Sequence, residues 1–249
     1  MSLLRLDNVS RRFGSLVALD RVSLVVDDGE LYAVIGPNGA GKTTLFNLIS
    51  GFFPPTDGAI WFGGKPLDRV GAADRVALGL VRTFQITEVF PELSVFENVR
   101  IGVEAEGRCS AWPWPSRGLM QRIHGRVDEL LDMTGLSARA GRKVSELAHG
   151  DQRVVEVTMA LSRRPKLLLL DEPTAGMGDE ETEHMVELIR SLHARQRLGI
   201  LFIEHDMDLV FGIAQKITVL NYGKVLATGT PDAIAADRLV QAAYLGEPA

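Results

Sequence analysis

The sequence predicts an α/β fold: a mostly parallel core sheet, an antiparallel β-subdomain at the N-terminus and an inserted helical subdomain. Three observations carry that prediction. The apolar runs LYAVIG, LLLL before Asp171 and ILFI before Glu204 have the character of strands buried on both faces, and helical patterns separate them. Val22, Leu24 and Val26 alternate with Ser23 and Val25 ahead of an Asp27-Asp28-Gly29 turn, as in an antiparallel sheet. Strand signals then vanish between Gln85 and Leu147. The α/β core is accordingly placed at about residues 1–85 and 165–249 of a single domain, and the helical subdomain at about 86–164.

The helices carry clear punctuation. Ile123, Val127, Leu130 and Leu131 share one helical face, and Gly135 follows as a stop. A helix from about Asp151 to Arg163 places Val154, Val157 and Leu161 together and ends before Pro165. Another opens with Asp179, Glu180, Glu181 and Glu183 and closes with Arg190, Arg195 and Arg197, a charge order that suits the helix dipole. Thr230-Pro231 reads as an N-cap followed by proline at the first helical position.

Composition narrows the function classes. The chain has 249 residues, 46% of them hydrophobic, which is enough to bury a substantial core. Its net charge of −5 argues against a nucleic-acid coat, whose affinity comes from excess Lys and Arg meeting phosphates. Cys109 is the single cysteine, so no internal disulfide framework exists. The N-terminus lacks an apolar leader, and no run approaches the roughly 18 apolar residues of a membrane helix. A cytosolic chain is expected, held at a membrane, if at all, by other chains.

GPNGAGKTT, from Gly36 to Thr44, follows the strand LYAVI and opens the helix KTTLFNLIS. It matches G-x-x-x-x-G-K-S/T in the strand–loop–helix context that gives the pattern its meaning. Here Gly36, Pro37, Asn38, Gly39, Ala40 and Gly41 form the loop, whose glycines let the backbone wrap closely so that several N–H groups face one phosphate. Lys42 reaches the outer phosphates, the Thr43 hydroxyl ligates magnesium, and Thr44 continues the helix N-terminus, whose field favours an anion. A nucleoside triphosphate with Mg2+ is the predicted ligand. In LLLLDEP, Asp171 ends a buried strand where an aspartate holds magnesium through water, and Glu172 follows where a carboxylate polarises the attacking water.

At these residues the sequence resembles the ATP-binding subunit of an ABC transporter, over essentially its whole length. The resemblance implies the ABC ATPase version of the P-loop NTPase fold, with ATP hydrolysis coupled to transport. By that resemblance, Gln85 in RTFQ is the glutamine that senses the γ-phosphate, faces the membrane subunit and joins Thr43 and Asp171 at the magnesium. His205 in IEHD is the histidine that contacts the γ-phosphate. Phe13 sits where the family stacks an aromatic on adenine, and packing in the N-terminal sheet suits it equally. AGM after Pro173-Thr174 and the run IEHDMDLVFGIA resemble the branch that serves branched-chain amino acid importers. Urea and amide importers are related alternatives, a lipopolysaccharide exporter's ATPase is a more distant one, and a nucleotide-binding regulator with little turnover is the reading outside transport.

The same resemblance implies partners: membrane-spanning permease subunits, a second ATPase subunit (a copy or a paralogue) and, indirectly, a substrate-binding protein. No nucleic-acid partner is expected, and the chain would lie at the cytoplasmic face of the cell (inner) membrane. ITEVFPELSVFENVR offers Phe90, Leu93 and Phe96 either as a groove for a membrane subunit or as core of the helical subdomain. Trp112 and Trp114 read as local loop packing more than as a binding site.

The family's LSGGQ signature is replaced by LAHGDQR. Ala148 lacks the usual serine hydroxyl, a hydrogen bond to a charged group worth about 1.5–3 kcal/mol. His149 replaces a glycine, Gly150 preserves close backbone approach, and Asp151 adds a negative charge close to where a phosphate would dock. The usual SALD reads AGMG, Ala175 to Gly178, so its aspartate is absent. A working ATPase with a weakened signature is the expectation.

Overall fold

The computed structural model of the chain describes residues 2–83, 89–106 and 116–245. These form two compact units. The first comprises Met1–Arg82, Lys166–Pro173 and Ile189–Ala249, and the second Thr83–Pro165 and Thr174–Leu188. The segment Thr174–Leu188, which sequence reading groups with the core, thus clusters with the helical unit.

The first unit holds two sheets. Strands β1 (Ser2–Phe13), β2 (Leu16–Asp27), β4 (Asp57–Phe62) and β5 (Lys65–Pro66) make an antiparallel sheet in the order β2-β1-β4-β5. The other sheet contains β3 (Leu31–Ile35), β6 (Leu80–Arg82), β7 (Leu167–Asp171), β8 (Gly199–Ile203), β9 (Lys216–Asn221) and β10 (Lys224–Gly229), in the order β10-β9-β3-β8-β7-β6. Every pairing in it is parallel except the β9–β10 hairpin at the edge. The three apolar runs of the sequence are β3, β7 and β8, buried along their whole length. Their continuous hydrophobicity reflects cover on both faces.

Helix α1 (Lys42–Ser50) buries Leu45, Phe46, Leu48 and Ile49 in a core that also takes Leu4, Leu6, Val34, Leu169 and Leu201. Each such side chain contributes about 1.5–3 kcal/mol by leaving water. Tyr32 is fully buried, with its hydroxyl 2.6 Å from Thr218 Oγ1, which lies 2.7 Å from Thr228 Oγ1. Burial pushes the Tyr32 pKa up to about 12. The unit also contains α2 (Ala72–Leu78), α7 (Met207–Ile213), α8 (Pro231–Ala235) and α9 (Arg238–Leu245). Thr230 caps α8 as predicted, with its hydroxyl accepting from Ala233 N–H and proline in the first turn.

In the second unit, α3 (Val95–Glu106), α4 (Arg117–Met133) and α5 (His149–Leu161) pack together. The face predicted for α4, Ile123, Val127, Leu130 and Leu131, is the buried one, and Thr134 and Thr158 hydroxyls meet at 3.0 Å beneath it. Ser94 and Glu97 form a reciprocal capping box at the start of α3: Ser94 N–H donates to the Glu97 carboxylate at 2.8 Å, and Glu97 N–H donates to Ser94 Oγ at 3.2 Å. Phe90 is 49% exposed, whereas Phe96 is half-buried and lies edge-on to His124. Helix α6 (Asp179–Gln196) starts with Asp179, Glu180 and Glu181 and ends with His193 and Arg195, the charge order read from sequence.

Candidate nucleotide site and signature segment

The loop between β3 and α1 opens onto a cavity of about 420 Å³ in the first unit. Asn38 to Thr44 line it, with Leu16, Val17 and Ala18 of β2, Glu172 after β7, His205 after β8, and Tyr222 and Gly223 of the β9–β10 turn. Gly36 and Pro37 begin the loop without lining the cavity. Their carbonyls take the Lys42 ammonium, at 3.2 Å for Pro37. Gly41 caps α1 at φ 102°, where a Cβ would lie 2.8 Å from the Ala18 carbonyl, so only glycine suits both the turn and the close approach. No side chain caps α1, which leaves its N-terminal end to an anion in the cavity.

Burial lowers the pKa of Lys42, and the nearby carboxylates of Glu172 and Asp171 oppose that shift. Asp171 is buried at the end of β7. Its Oδ2 accepts from Arg82 at 2.6 Å, with the two side chains 2% and 7% exposed. Arg82 also donates to Asn47 Oδ1 at 2.7 Å, so one guanidinium ties the aspartate to α1. Glu172 has φ 49°, a left-handed conformation that costs a non-glycine residue energy and recurs at functional sites. Its N–H donates to the Ile203 carbonyl, and its Oε1 lies 2.8 Å from His205 Nε2. The structure therefore joins Glu172 and His205 directly.

Phe13 is not part of the cavity lining. It meets Phe53 edge-on at 5.5 Å, and the Arg11 guanidinium sits 4.6 Å from its ring centre. Gln85 lies outside the described residues, as do Cys109, Trp112 and Trp114. Sequence reading missed Arg82, although it lies within the quoted RTFQ, and also Tyr222 and Tyr244. The Tyr244 pKa is pushed up to about 12 by burial, and the Gly36 backbone partly offsets that shift.

In the second unit, Ala148 is the N-cap of α5 and supplies no side-chain cap. Glu181 takes part of that role: its Oε1 accepts from Gly150 N–H at 3.1 Å and its Oε2 from Gly178 N–H at 3.3 Å. A Cβ at Gly150 would come within 2.9 Å of that carboxylate. Asp151 pairs with Arg139 at 3.0 Å, so its charge is offset within the unit. His149 is exposed, with its ring beside Gly176.

Oxygen donors at Thr43 and Asp171 suit Mg2+, a hard cation that keeps waters and takes phosphate oxygens. Among the described residues, no group of three or more His, Cys, Asp or Glu could hold a metal.

A strand–loop–helix phosphate site, with Asp171 ending β7 two strands away in the same sheet and Glu172 directly after it, is matched by the family model described as "ABC transporter", over residues 19–175. The chain belongs to that family. A second model, "Branched-chain amino acid ATP-binding cassette transporter", matches residues 224–249 of this cassette. The cassette is 39% identical to the high-affinity branched-chain amino acid transport ATP-binding protein LivG of Salmonella typhimurium and of Escherichia coli, covering 98% of each chain. It is 36% identical to BraF of Pseudomonas aeruginosa over the same share. A solved ATP-binding cassette of an ABC transporter in its ADP conformation superposes with a TM-score of 0.88 at 31% identity, covering 99% of this cassette and 100% of the other. Among the described residues, no helix is long and apolar enough to cross a membrane.

Proposed function

We propose that this cassette is the ATP-hydrolysing motor of an importer for branched-chain amino acids, docked on separate permease subunits at the inner face of the cell membrane. The observation that carries the substrate class is the identity to LivG and BraF along 98% of the chain, together with the C-terminal match. The chemistry rests on the cavity.

The α1 N-terminus and Lys42 bind and orient the phosphates, and Lys42 is prepared for them by its carbonyl partners and two nearby carboxylates. Thr43 and Asp171 would hold Mg2+, which when bound spreads the negative charge of the phosphates. Glu172 accepts the proton of the attacking water, and its strained backbone and the His205 contact aim the carboxylate. Closure with a second ATPase subunit brings that subunit's phosphate loop to the α5 N-terminus at Ala148, His149, Gly150 and Asp151. Gln85 relays the nucleotide state to the permease.

The test is leucine uptake into vesicles that contain this cassette with its permease subunits, alongside ATP turnover. Uptake and turnover both lost in Glu172→Gln support the proposal. Turnover without uptake of any branched-chain amino acid overturns the substrate class, and ATP binding without turnover overturns the motor.

A further inference from the structure

Arg82 ends strand β6, whose other two residues, Leu80 and Val81, are buried and apolar. It pairs in register with Leu169 of β7, and Asp171 lies two residues further along that strand, on the same face. The guanidinium is held on every side. Its Nη2 donates to Asp171 Oδ2 at 2.6 Å, while Nη1 donates to Asn47 Oδ1 at 2.7 Å and to Ser50 Oγ at 3.2 Å. Its central carbon lies 5.6 Å from the Phe46 ring centre and 5.8 Å from that of Phe52, within cation–π range.

Stability alone is a poor reason for this arrangement. Arg82 and Asp171 are almost wholly buried, and desolvation cancels most of the attraction within such a pair, so apolar residues of similar volume would hold the fold as well. What the guanidinium does that an apolar pair cannot is fix a carboxylate relative to a helix. Asn47 and Ser50 belong to α1, whose first turn carries Thr43, and Asp171 ends β7. Thr43 and Asp171 are the two oxygen donors that suit Mg2+, and Arg82 ties their elements together. By taking one oxygen of the Asp171 carboxylate it also sets the orientation of the other.

We infer that Arg82 is a positioning residue for the metal: it binds neither nucleotide nor Mg2+, and holds Asp171 in register with Thr43 so that a nucleotide-bound ion meets both. The inference rests on the Mg-nucleotide reading of the cavity. Lysine at this position keeps the charge but is a single point, so it cannot span Asp171 and α1 as the planar fork does.

The experiment titrates Mn2+, a paramagnetic stand-in for Mg2+, into the ADP complex of the full-length chain and follows free Mn2+ by electron paramagnetic resonance. Wild type, Arg82→Lys and Asn47→Ala are compared, and ADP binding in EDTA is measured for each by calorimetry. The expected result is a Mn2+ affinity about 10- to 100-fold weaker in Arg82→Lys. A smaller loss is expected in Asn47→Ala, which keeps the ion pair and cuts the tether to α1. ADP affinity in EDTA stays that of wild type in both. Wild-type Mn2+ affinity in Arg82→Lys, with ADP still bound, overturns the inference. So does an equal loss of Mn2+ and metal-free ADP binding, which marks a merely structural pair. Tighter Mn2+ binding overturns it too and makes the guanidinium a competitor of the metal. If Arg82→Lys does not fold, Asn47→Ala decides by the same readouts. A wild-type ADP complex that takes no Mn2+ overturns the Mg-nucleotide reading itself.

Discussion

Two helix N-termini in this molecule, each proposed above to meet a phosphate, are built differently. Helix α1 begins at Gly41 with no side-chain cap, and a cationic lysine stands in its first turn. Helix α5 begins at Ala148, also with no cap of its own, but the Glu181 carboxylate has taken its Gly150 N–H. One end is left for a phosphate, and the other is already occupied by an anion from within its own unit. The difference teaches that loss of a signature serine does not leave the helix end bare. A nearby acid fills the place, and under the proposed closure an incoming phosphate has to displace it.

The largest test of this contrast is Glu172→Gln. Removing the base lowers turnover about 10²- to 10⁴-fold while ATP stays bound, as steady-state kinetics and nucleotide retention will show. The variant then serves as the background for measuring association.

Lys42→Ala comes next. A hydrogen bond to a charged group is worth about 1.5–3 kcal/mol, so ATP affinity falls roughly 10- to 150-fold in calorimetry. Burial lowers the Lys42 pKa, and phosphate prefers the protonated amine. Wild-type affinity is therefore highest at pH values below that pKa and falls as pH rises through it, with proton uptake on binding. The fall begins at lower pH than an ordinary lysine would give. An affinity that does not change over that range would mean the ammonium is not a phosphate ligand.

Glu181→Ala addresses the occupied end. An anion at a helix N-terminus contributes about 0.3–1 kcal/mol. Its removal lowers stability by that amount and tightens ATP-driven dimerisation of Glu172→Gln about two- to fivefold, read by analytical ultracentrifugation. Weaker association would show instead that Glu181 organises α5 for its partner, and the contrast between the two helix ends would dissolve.

The smallest effect belongs to Arg139→Ala. This pair is partly solvent-exposed, at 40% and 16%, and is worth about 1 kcal/mol or less. Uncovering Asp151 weakens the ATP-driven dimer less than about fivefold, and added salt reduces the difference. A salt-independent loss would assign Arg139 a structural role.

Much of the fold was legible because its signals are local. The buried runs of β3, β7 and β8, the α4 face and the Thr230-Pro231 cap each depend on residues a few positions apart. The half-exposed strand β10 and the short β5 and β6 were not anticipated, because exposed or brief strands carry little hydrophobic periodicity. The candidate site divides in the same way. Lys42, Asp171 and Glu172 stand in motifs, while Arg82 and Asp171 meet across 89 positions, and Glu181 and Gly150 across 31. No spacing rule announces such pairs.

By itself the sequence determined that a phosphate would be met by a glycine-rich turn at a helix start, since that chemistry is written in nine consecutive residues from Gly36 to Thr44. It also determined which faces are apolar, through helical and strand periods. Tertiary structure alone decided what each charge would face: that Asp151 is paired, that the signature N–H is taken by a carboxylate, and that Tyr222 rather than Phe13 rims the cavity. The physical reason is range. Periodicity acts over a turn or a pleat, whereas electrostatic partners and cavity walls come together only when distant segments are packed.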